Sequence, residues 1–195
     1  MAETAIIILA AGQASRMGRP KQLLDFGGRP LVRHAAETAL AAELGPVVVV
    51  TGAYQQQVEA ALADLPVRIA FNPRWEEGIG TSIQAGLAVL SEDTAGLILT
   101  LADLPLLTAG TYRRLVEIHG QSGPPIVAAA YEGTVGVPVY FARPYFAHLA
   151  ALAPAAGCKG VILKHPHDAY HEPCPEAATD VDTAEDYAHL CATIL

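Results

Sequence analysis

The segment LAAGQASRMGRPK, residues 9–21, contains the residue types that bind a polyphosphate. Small residues at positions 10–12 would let backbone N–H groups approach a ligand closely, and Arg16 and Lys21 would supply cations for anionic oxygens. The segment is not a Walker A loop, because its second glycine is followed by Arg19 rather than by lysine, and it does not fit GxGxxG. A glycine after a strand is often only part of a turn, but the two cations in the same loop favour phosphate binding.

A carboxylate stands at the end of another apolar run, in the segment LADLPLLT, residues 101–108. Mg²⁺ prefers one or two carboxylates together with substrate phosphates and water, so Asp103 is a candidate metal ligand. The alternative is that Asp103 only caps the turn that follows it.

The segment DVDTAEDY, residues 180–187, offers a second carboxylate from Asp180 or Asp182. Thr183 followed three residues later by Asp186 is also typical of an ordinary helix start. The two interpretations are compatible with each other.

A fourth segment, NPRWEEGIGTSIQAGL, covers residues 72–87 and enters a helix that we predict to begin at Thr81 or Ser82. Its glycines and hydroxyl groups would suit contacts with a base, a ribose or an anion at a helix N-terminus. Alternatively, they form a flexible turn and a helix cap. Trp75 is either a packed aromatic residue or a ligand contact.

The elements that must position these segments alternate between strands and helices. Apolar runs rich in β-branched residues predict buried strands at 5–9, 47–51, 67–71 and 97–101. Helical spacing predicts helices at 31–44, 56–65 and 82–90. In the second half we predict strands at 126–130 and 137–141 and helices at 111–119, 145–152, 159–164 and 184–194. This order predicts a mostly parallel sheet covered by helices on both faces, with ligands at the carboxyl edge of the strands.

Composition excludes several classes of protein. The 195 residues are 52% hydrophobic and 16% charged, which excludes global disorder and fits one domain. A net charge of −8 argues against a nucleic-acid partner. The three cysteines are too few and too widely spaced for a disulfide scaffold, which favours a reducing cytoplasm. No apolar run is long enough to span a membrane, so we expect a soluble protein without a membrane partner.

Together, the four segments resemble the MobA-like NTP transferase family, and within it the molybdenum cofactor cytidylyltransferase (MocA-like) branch. Residues 9–21 are similar to the signature LAAGxSxRMGxPK, and residues 72–87 to NPxWxxGxxxSxxxGL. Residues 101–108 resemble the family's metal-aspartate segment, and residues 180–186 its DIDTPED. The resemblance implies a Rossmann-like three-layer α/β/α fold of the nucleotide-diphospho-sugar transferase type. It also implies a single domain over 1–195, with an NTP-binding half at about 1–108 and an acceptor-binding half at about 109–195.

The resemblance further implies Mg²⁺-dependent transfer of CMP from CTP to a molybdopterin-type molybdenum cofactor, with release of pyrophosphate. A molybdenum hydroxylase could receive the product. The catalytic residues implied are Arg16, Lys21 and Asp103, and the metal ligands Asp103 with Asp182, or less favourably Asp180. The nucleotide-binding residues implied are Leu9, Ala10, Ala11, Gly12, Ser15, Arg16, Lys21, Asn72, Gly80, Thr81 and Ser82.

The presumed acceptor half departs from the family pattern at two places. Gly136-Val137-Pro138 stands where relatives often have GHP, and residues 154–159, PAAGCK, where they often have GDxGAR. The acceptor therefore stays open between the cofactor, in a cytidylyl or guanylyl reaction, and a sugar phosphate. A non-catalytic carrier of the cofactor is a further alternative. Some similar proteins are described as oxidoreductases, but the sequence has no redox-cofactor motif.

A separate group of possible metal ligands occurs in HPHDAYHEPC, residues 165–174: His165, His167, His171 and Cys174. Their spacing matches no standard zinc site, so we expect solvated loop histidines rather than bound zinc.

Overall fold

One sheet organises the computed structural model, which describes residues 3–13, 20–181 and 183–194. The strands are β1 (Thr4–Leu9), β2 (Asp25–Phe26), β3 (Arg29–Pro30), β4 (Val47–Thr51), β5 (Arg68–Phe71), β6 (Gly96–Leu101), β7 (Ile126–Tyr131), β8 (Thr134–Ala142) and β9 (Ala169–Pro173). The helices are α1 (Leu31–Leu40), α2 (Gln55–Leu62), α3 (Ile79–Ala88), α4 (Ala109–Ser122), α5 (Phe146–Ala150), α6 (Lys159–Lys164) and α7 (Ala184–Ile194).

The main sheet has the order β5-β4-β1-β6-β8-β7-β9. Within it, β8 runs antiparallel to its neighbours β6 and β7, and the other pairs are parallel. Leu9 of β1 lies opposite Leu101 of β6, so the two strands end at the same level. Beyond these ends, Ala102 N–H donates to the Leu9 carbonyl oxygen at 3.2 Å, and Ala10 N–H donates to that of Val50 at 2.9 Å. This register brings the segments after β1 and β6 side by side.

Alternate residues of each central strand enter opposite halves of the core. Ile6 and Ile8 of β1 pack beneath α1, α2 and α4, whereas Ile7 packs beneath α3, α5 and α6. Because helices cover both faces, these strands need apolar residues at every position. The three-layer α/β/α fold with a mostly parallel sheet, predicted from this pattern, is confirmed.

A smaller apolar cluster joins distant parts of the chain at the carboxyl edge. Leu24, Phe26 and Leu31 pack with Val181 and with Leu190 of α7. The separate β2–β3 hairpin lies in this cluster and was absent from the sequence-based prediction.

The histidine-rich segment fits the expectation of solvated histidines at His167 and His171, which are exposed, and differs from the expected loop elsewhere. His171 lies in β9, which pairs in parallel with β7. The His165 ring is partly buried and packs 5.2 Å from the Tyr145 ring and 4.8 Å from the His148 ring, measured between centroids. Backbone pairing to β7 and aromatic packing, which have no local sequence signal, account for this error.

Cys174 is buried, and burial raises the pKa of its thiol to about 12, which disfavours the thiolate that a metal would require. Among the described residues, no three His, Cys, Asp or Glu side chains are grouped so as to hold a metal ion. No helix in the described ranges is both long and apolar enough to cross a bilayer.

The core makes a direct prediction about stability. Leu99 is fully buried in β6, and we expect Leu99→Ala to lower the free energy of unfolding by about 2–5 kcal/mol, because the truncation leaves a cavity. Leu163→Ala, at a residue that is 60% exposed, is the matched control and should change it by less than about 0.5 kcal/mol. Urea denaturation measures both, and equal effects would contradict the assigned core.

Candidate functional site

A cleft of about 380 Å³ opens at the carboxyl ends of β1 and β6. Its lining comprises Leu9, Ala10, Ala11, Gly12, Gln13, Lys21, Gln22, Trp75, Glu76, Gly78, Ile79, Ser82, Leu101, Ala102 and Asp103. Open α/β sheets bind ligands in the crevice at this edge. Three of the four segments singled out in the sequence therefore meet in one cavity.

An ion pair between a partly exposed lysine and a buried carboxylate lies in the cleft. Asp103 follows β6, and its Oδ2 forms a close ion pair with the Lys21 ammonium group. The other carboxylate oxygen, Oδ1, is buried and has no hydrogen-bond partner among the described residues. Thr108, rather than Asp103, caps α4. The side chain of Asp103 thus has an acceptor oxygen to offer a ligand.

The segment with the candidate second carboxylate lies beside Asp103. Val181 N–H donates to the Asp103 carbonyl oxygen at 3.2 Å, and the Val181 side chain is fully buried. Asp180 is exposed next to it, whereas Asp182 lies outside the described residues. Burial raises the pKa of the Tyr131 phenol, and the negative charge of Asp180 adds to the increase.

The predicted helix start after this segment is confirmed. Thr183 N–H donates to Asp186 Oδ2 at 2.8 Å, and Asp186 N–H donates to Thr183 Oγ1 at 3.1 Å. This reciprocal capping fixes the first turn of α7.

The loop after β1 is held from two sides. The Gln22 amide donates to the carbonyl oxygens of Ala10 and Gly12, and the Tyr54 hydroxyl donates to that of Gln13 at 3.2 Å. Ala53 N–H donates to the Ala11 carbonyl oxygen at 3.1 Å. The predicted contacts Ser15 and Arg16 lie outside the residues that the structure describes.

Residues 72–82 form a hydrogen-bonded turn around a buried amide. Asn72 Nδ2 donates to Thr81 Oγ1 and Ser82 Oγ, each at 2.9 Å, and the Thr81 hydroxyl donates to the Gly78 carbonyl oxygen at 2.8 Å. Gly80 N–H donates to the Pro154 carbonyl oxygen at 2.8 Å. These groups are already paired within the protein.

The structure therefore separates the residues predicted for this turn. Ser82 lines the cleft, whereas Asn72, Gly80 and Thr81 are absent from its lining. The geometry favours a role in shaping the turn for these three over the direct ligand contacts predicted. The helix also begins at Ile79 rather than at Thr81 or Ser82.

The wall of the cleft rests on the second half of the chain. Gly78 has φ +127°, and a Cβ atom there would lie 2.6 Å from the Pro154 carbonyl oxygen. A Cβ atom at Gly80 would lie 2.3 Å from the Ala153 carbonyl oxygen. Only glycine fits this close approach of two backbones.

The sequence analysis did not name six residues of the lining as site residues: Gln13, Gln22, Glu76, Ile79, Leu101 and Ala102. Gln22 is adjacent to Lys21, which was the only local signal for it. The others reach the cleft through the path of the backbone, which side-chain chemistry does not reveal.

Comparison with known proteins identifies relatives of this fold and site. The family model described as the MobA-like NTP transferase domain matches residues 6–169. The nicotine blue oxidoreductase of Paenarthrobacter nicotinovorans is 41% identical over 114 residues, which cover 58% of this chain and 55% of that protein. The bifunctional protein GlmU of Leifsonia xyli subsp. xyli is 35% identical over 139 residues, covering 65% of this chain and 29% of that protein. The chain thus spans about half or less of these curated relatives.

Solved structures match over nearly the whole chain. Rv0371c from Mycobacterium tuberculosis H37Rv has a TM-score of 0.80 at 30% sequence identity, covering 99% of this chain and 100% of that chain. A complex of Rv0371c with manganese matches with a TM-score of 0.77 at 27% identity, covering 98% and 100%.

The turn around Asn72 can be tested by itself. Asn72→Ala removes the donor to two buried hydroxyl groups, and we expect it to lower the free energy of unfolding by about 1–3 kcal/mol. Amide hydrogen exchange over residues 78–82 should become faster, because the turn loses its anchor. Gln57→Ala, at an exposed residue of α2, is the control. Unchanged exchange in Asn72→Ala would show that the amide does not hold the turn.

Proposed function

Because the chain belongs to the MobA-like NTP transferase family, a family of nucleotidyltransferases, we propose that it transfers CMP from CTP to a molybdopterin-type molybdenum cofactor. The observation that supports this proposal best is the meeting of Lys21 and Asp103 in the cleft beside the loop after β1. That site combines a cation that can bind phosphates, a carboxylate that can bind a metal, and a loop of small residues whose backbone a ligand can approach closely.

The proposed reaction needs no nucleophile from the protein. An oxygen of the acceptor phosphate attacks the α-phosphorus of CTP in line and forms the new P–O bond. The bond from the α-phosphorus to the bridging oxygen breaks, and pyrophosphate leaves with its electron pair. Phosphoryl transfer of this kind depends on positioning and on neutralisation of charge.

Lys21 supplies that neutralisation. Its ammonium group binds the Asp103 carboxylate in this structure and can exchange it for a phosphate oxygen, because both partners are anions. Arg16, which lies outside the described residues, remains a predicted second cation.

The residues at Asp103 fit a divalent cation. The unpaired, buried Oδ1 is a hard oxygen donor, and the Val181 N–H holds the neighbouring Asp180 close to the Asp103 backbone. We propose that Asp103 holds Mg²⁺ together with Asp182 or Asp180. A bound Mg²⁺ would neutralise charge on the phosphates. The manganese complex of Rv0371c supports a divalent metal.

We assign the acceptor to a second cleft, of about 560 Å³, in the second half of the chain. Tyr131, Thr134, Lys159 and His171 contribute to its lining. Lys159 donates to the Thr134 hydroxyl and places a cation at the end of the segment that departs from the family pattern. The negative charge of Asp180, in the segment beside Asp103, adds to the increase in the pKa of the Tyr131 phenol that burial causes.

The choice of CTP as the nucleotide rests on the loop after β1. Residues 9–12, LAAG, resemble the cytidylyl branch and support CTP over GTP. A cytoplasmic location and delivery of the product to a molybdenum hydroxylase follow from the same proposal.

Pyrophosphate release tests this function directly. We expect release from CTP with Mg²⁺ only when molybdenum-loaded molybdopterin is present. Release from GTP would indicate the guanylyl reaction, and release only with a sugar phosphate would indicate a different acceptor. A protein that binds the cofactor tightly but releases no pyrophosphate from either nucleotide would be a carrier.

Asp103→Asn tests the metal ligand. The substitution keeps the shape of the side chain and removes its charge, so we expect turnover to fall by at least about 100-fold. Asp93→Asn, at an exposed residue before β6, should leave turnover unchanged. Thermal unfolding of both variants checks the fold, and near-normal turnover in folded Asp103→Asn would refute the assignment.

A further inference from the structure

A buried glutamine holds the loop that follows β1. Gln22 is 3% exposed and lies in the 3₁₀ turn Lys21–Leu23. Its Nε2 donates to the Ala10 carbonyl oxygen at 3.0 Å and to the Gly12 carbonyl oxygen at 2.6 Å. A glutamine amide has two N–H groups, so these bonds use both donors.

The two hydrogen bonds set the direction of the neighbouring peptide groups. In a planar trans peptide, the N–H of the next residue points opposite to the carbonyl. Since the carbonyl groups of Ala10 and Gly12 point at Gln22, the N–H groups of Ala11 and Gln13 point away from it. Within the described ranges, neither N–H donates to a protein acceptor, and both residues line the cleft. Two unpaired backbone donors at one cleft suit an anion.

The Gln22 amide oxygen is a second and independent observation. Oε1 is buried and has no hydrogen-bond partner among the described residues. A buried, unpaired acceptor costs stability, so packing alone does not explain glutamine at this position. The two N–H groups of the Gln22 amide, which a hydrophobic side chain would lack, explain why glutamine is present at this position.

The same 3₁₀ turn carries the cation of the site. Lys21 pairs with Asp103, and the adjacent Gln22 holds the loop after β1. Leu24 N–H donates to the Lys21 carbonyl oxygen at 3.1 Å, which closes the turn. Gln22 therefore links the backbone donors of the loop to the lysine.

We infer that Gln22 is a positioning residue for the nucleotide: it orients the Ala10–Gly12 backbone so that Ala11 and Gln13 N–H groups donate to phosphate oxygens. This inference rests on the proposed function, since it takes an NTP as the ligand. It concerns the loop and not the acceptor, so it is independent of whether the acceptor is the molybdenum cofactor.

Gln22→Glu tests this role at nearly constant size. A carboxylate accepts only and cannot bond two carbonyl oxygens, whereas a protonated carboxyl donates one hydrogen bond. Burial beside two carbonyl oxygens raises the pKa of the new carboxyl group, so it is protonated at low pH and charged at high pH. We expect the Kd for MgCTP to rise about tenfold at pH 8, and the difference from wild type to narrow to about threefold at pH 5.5.

Two further variants complete the design, with Kd for MgCTP and MgGTP measured by isothermal titration calorimetry. Gln57→Glu adds the same charge at an exposed residue of α2 and should bind like wild type at every pH. Gln22→Met removes both donors, and its loss of affinity should be independent of pH relative to wild type. Thermal unfolding reports the fold of each variant.

Each outcome decides the inference. Gln22→Glu that folds and binds like wild type at every pH would overturn it. If Gln22→Glu does not fold, weaker binding by folded Gln22→Met supports the inference and unchanged binding overturns it. If the wild type binds neither MgCTP nor MgGTP, the proposed function is wrong and the inference falls with it.

Discussion

The ion pair between Lys21 and Asp103 is the interaction on which the arrangement of this site depends. A buried carboxylate is stable only when it is paired with a cation or hydrogen-bond donor. Here the partner is Lys21, which lies in the turn that follows the loop after β1. The pair requires that turn to lie against the end of β6. Val181 then binds the Asp103 backbone, and its side chain joins the apolar cluster with Leu24. Three distant parts of the chain are thereby fixed around one charge.

The parallel sheet makes this meeting possible. Strands β1 and β6 are neighbours that end at the same level, so the residues after each strand share one edge. Apolar residues on both faces of these strands hold that register rigidly, because a shift by one position would exchange the two halves of the core. The precision of the site therefore depends also on core residues such as Ile7 and Leu99, which lie outside the cleft lining.

Much of this arrangement was predictable from the sequence, because its signals are local. Runs such as Val47–Val50 are apolar at every position, as expected of a strand buried on both faces. Lys21 was predicted because it is one of two cations in a loop with small residues, and Asp103 because it is a carboxylate at the end of an apolar run. Strand β9, in contrast, has the sequence AYHEP, with no alternation and a terminal proline, and pairing with β7 alone makes it a strand. The roles of Asn72 in the turn and of Gln22 in holding the loop after β1 depend on hydrogen bonds to residues that are distant in the sequence. Local sequence patterns do not predict which distant residues will be neighbours.

The contact between the 78–80 turn and residues 153–156 has a consequence for how this scaffold can diversify. The turn meets backbone atoms of that segment, whereas the Ala155 side chain is exposed. Exposed side chains of residues 153–156 can be substituted without altering the cleft wall. An insertion or deletion in this segment would displace the carbonyl groups that support Gly78 and Gly80. Evolution of a new acceptor along this segment is therefore restricted to exchanges of side chains at constant loop length.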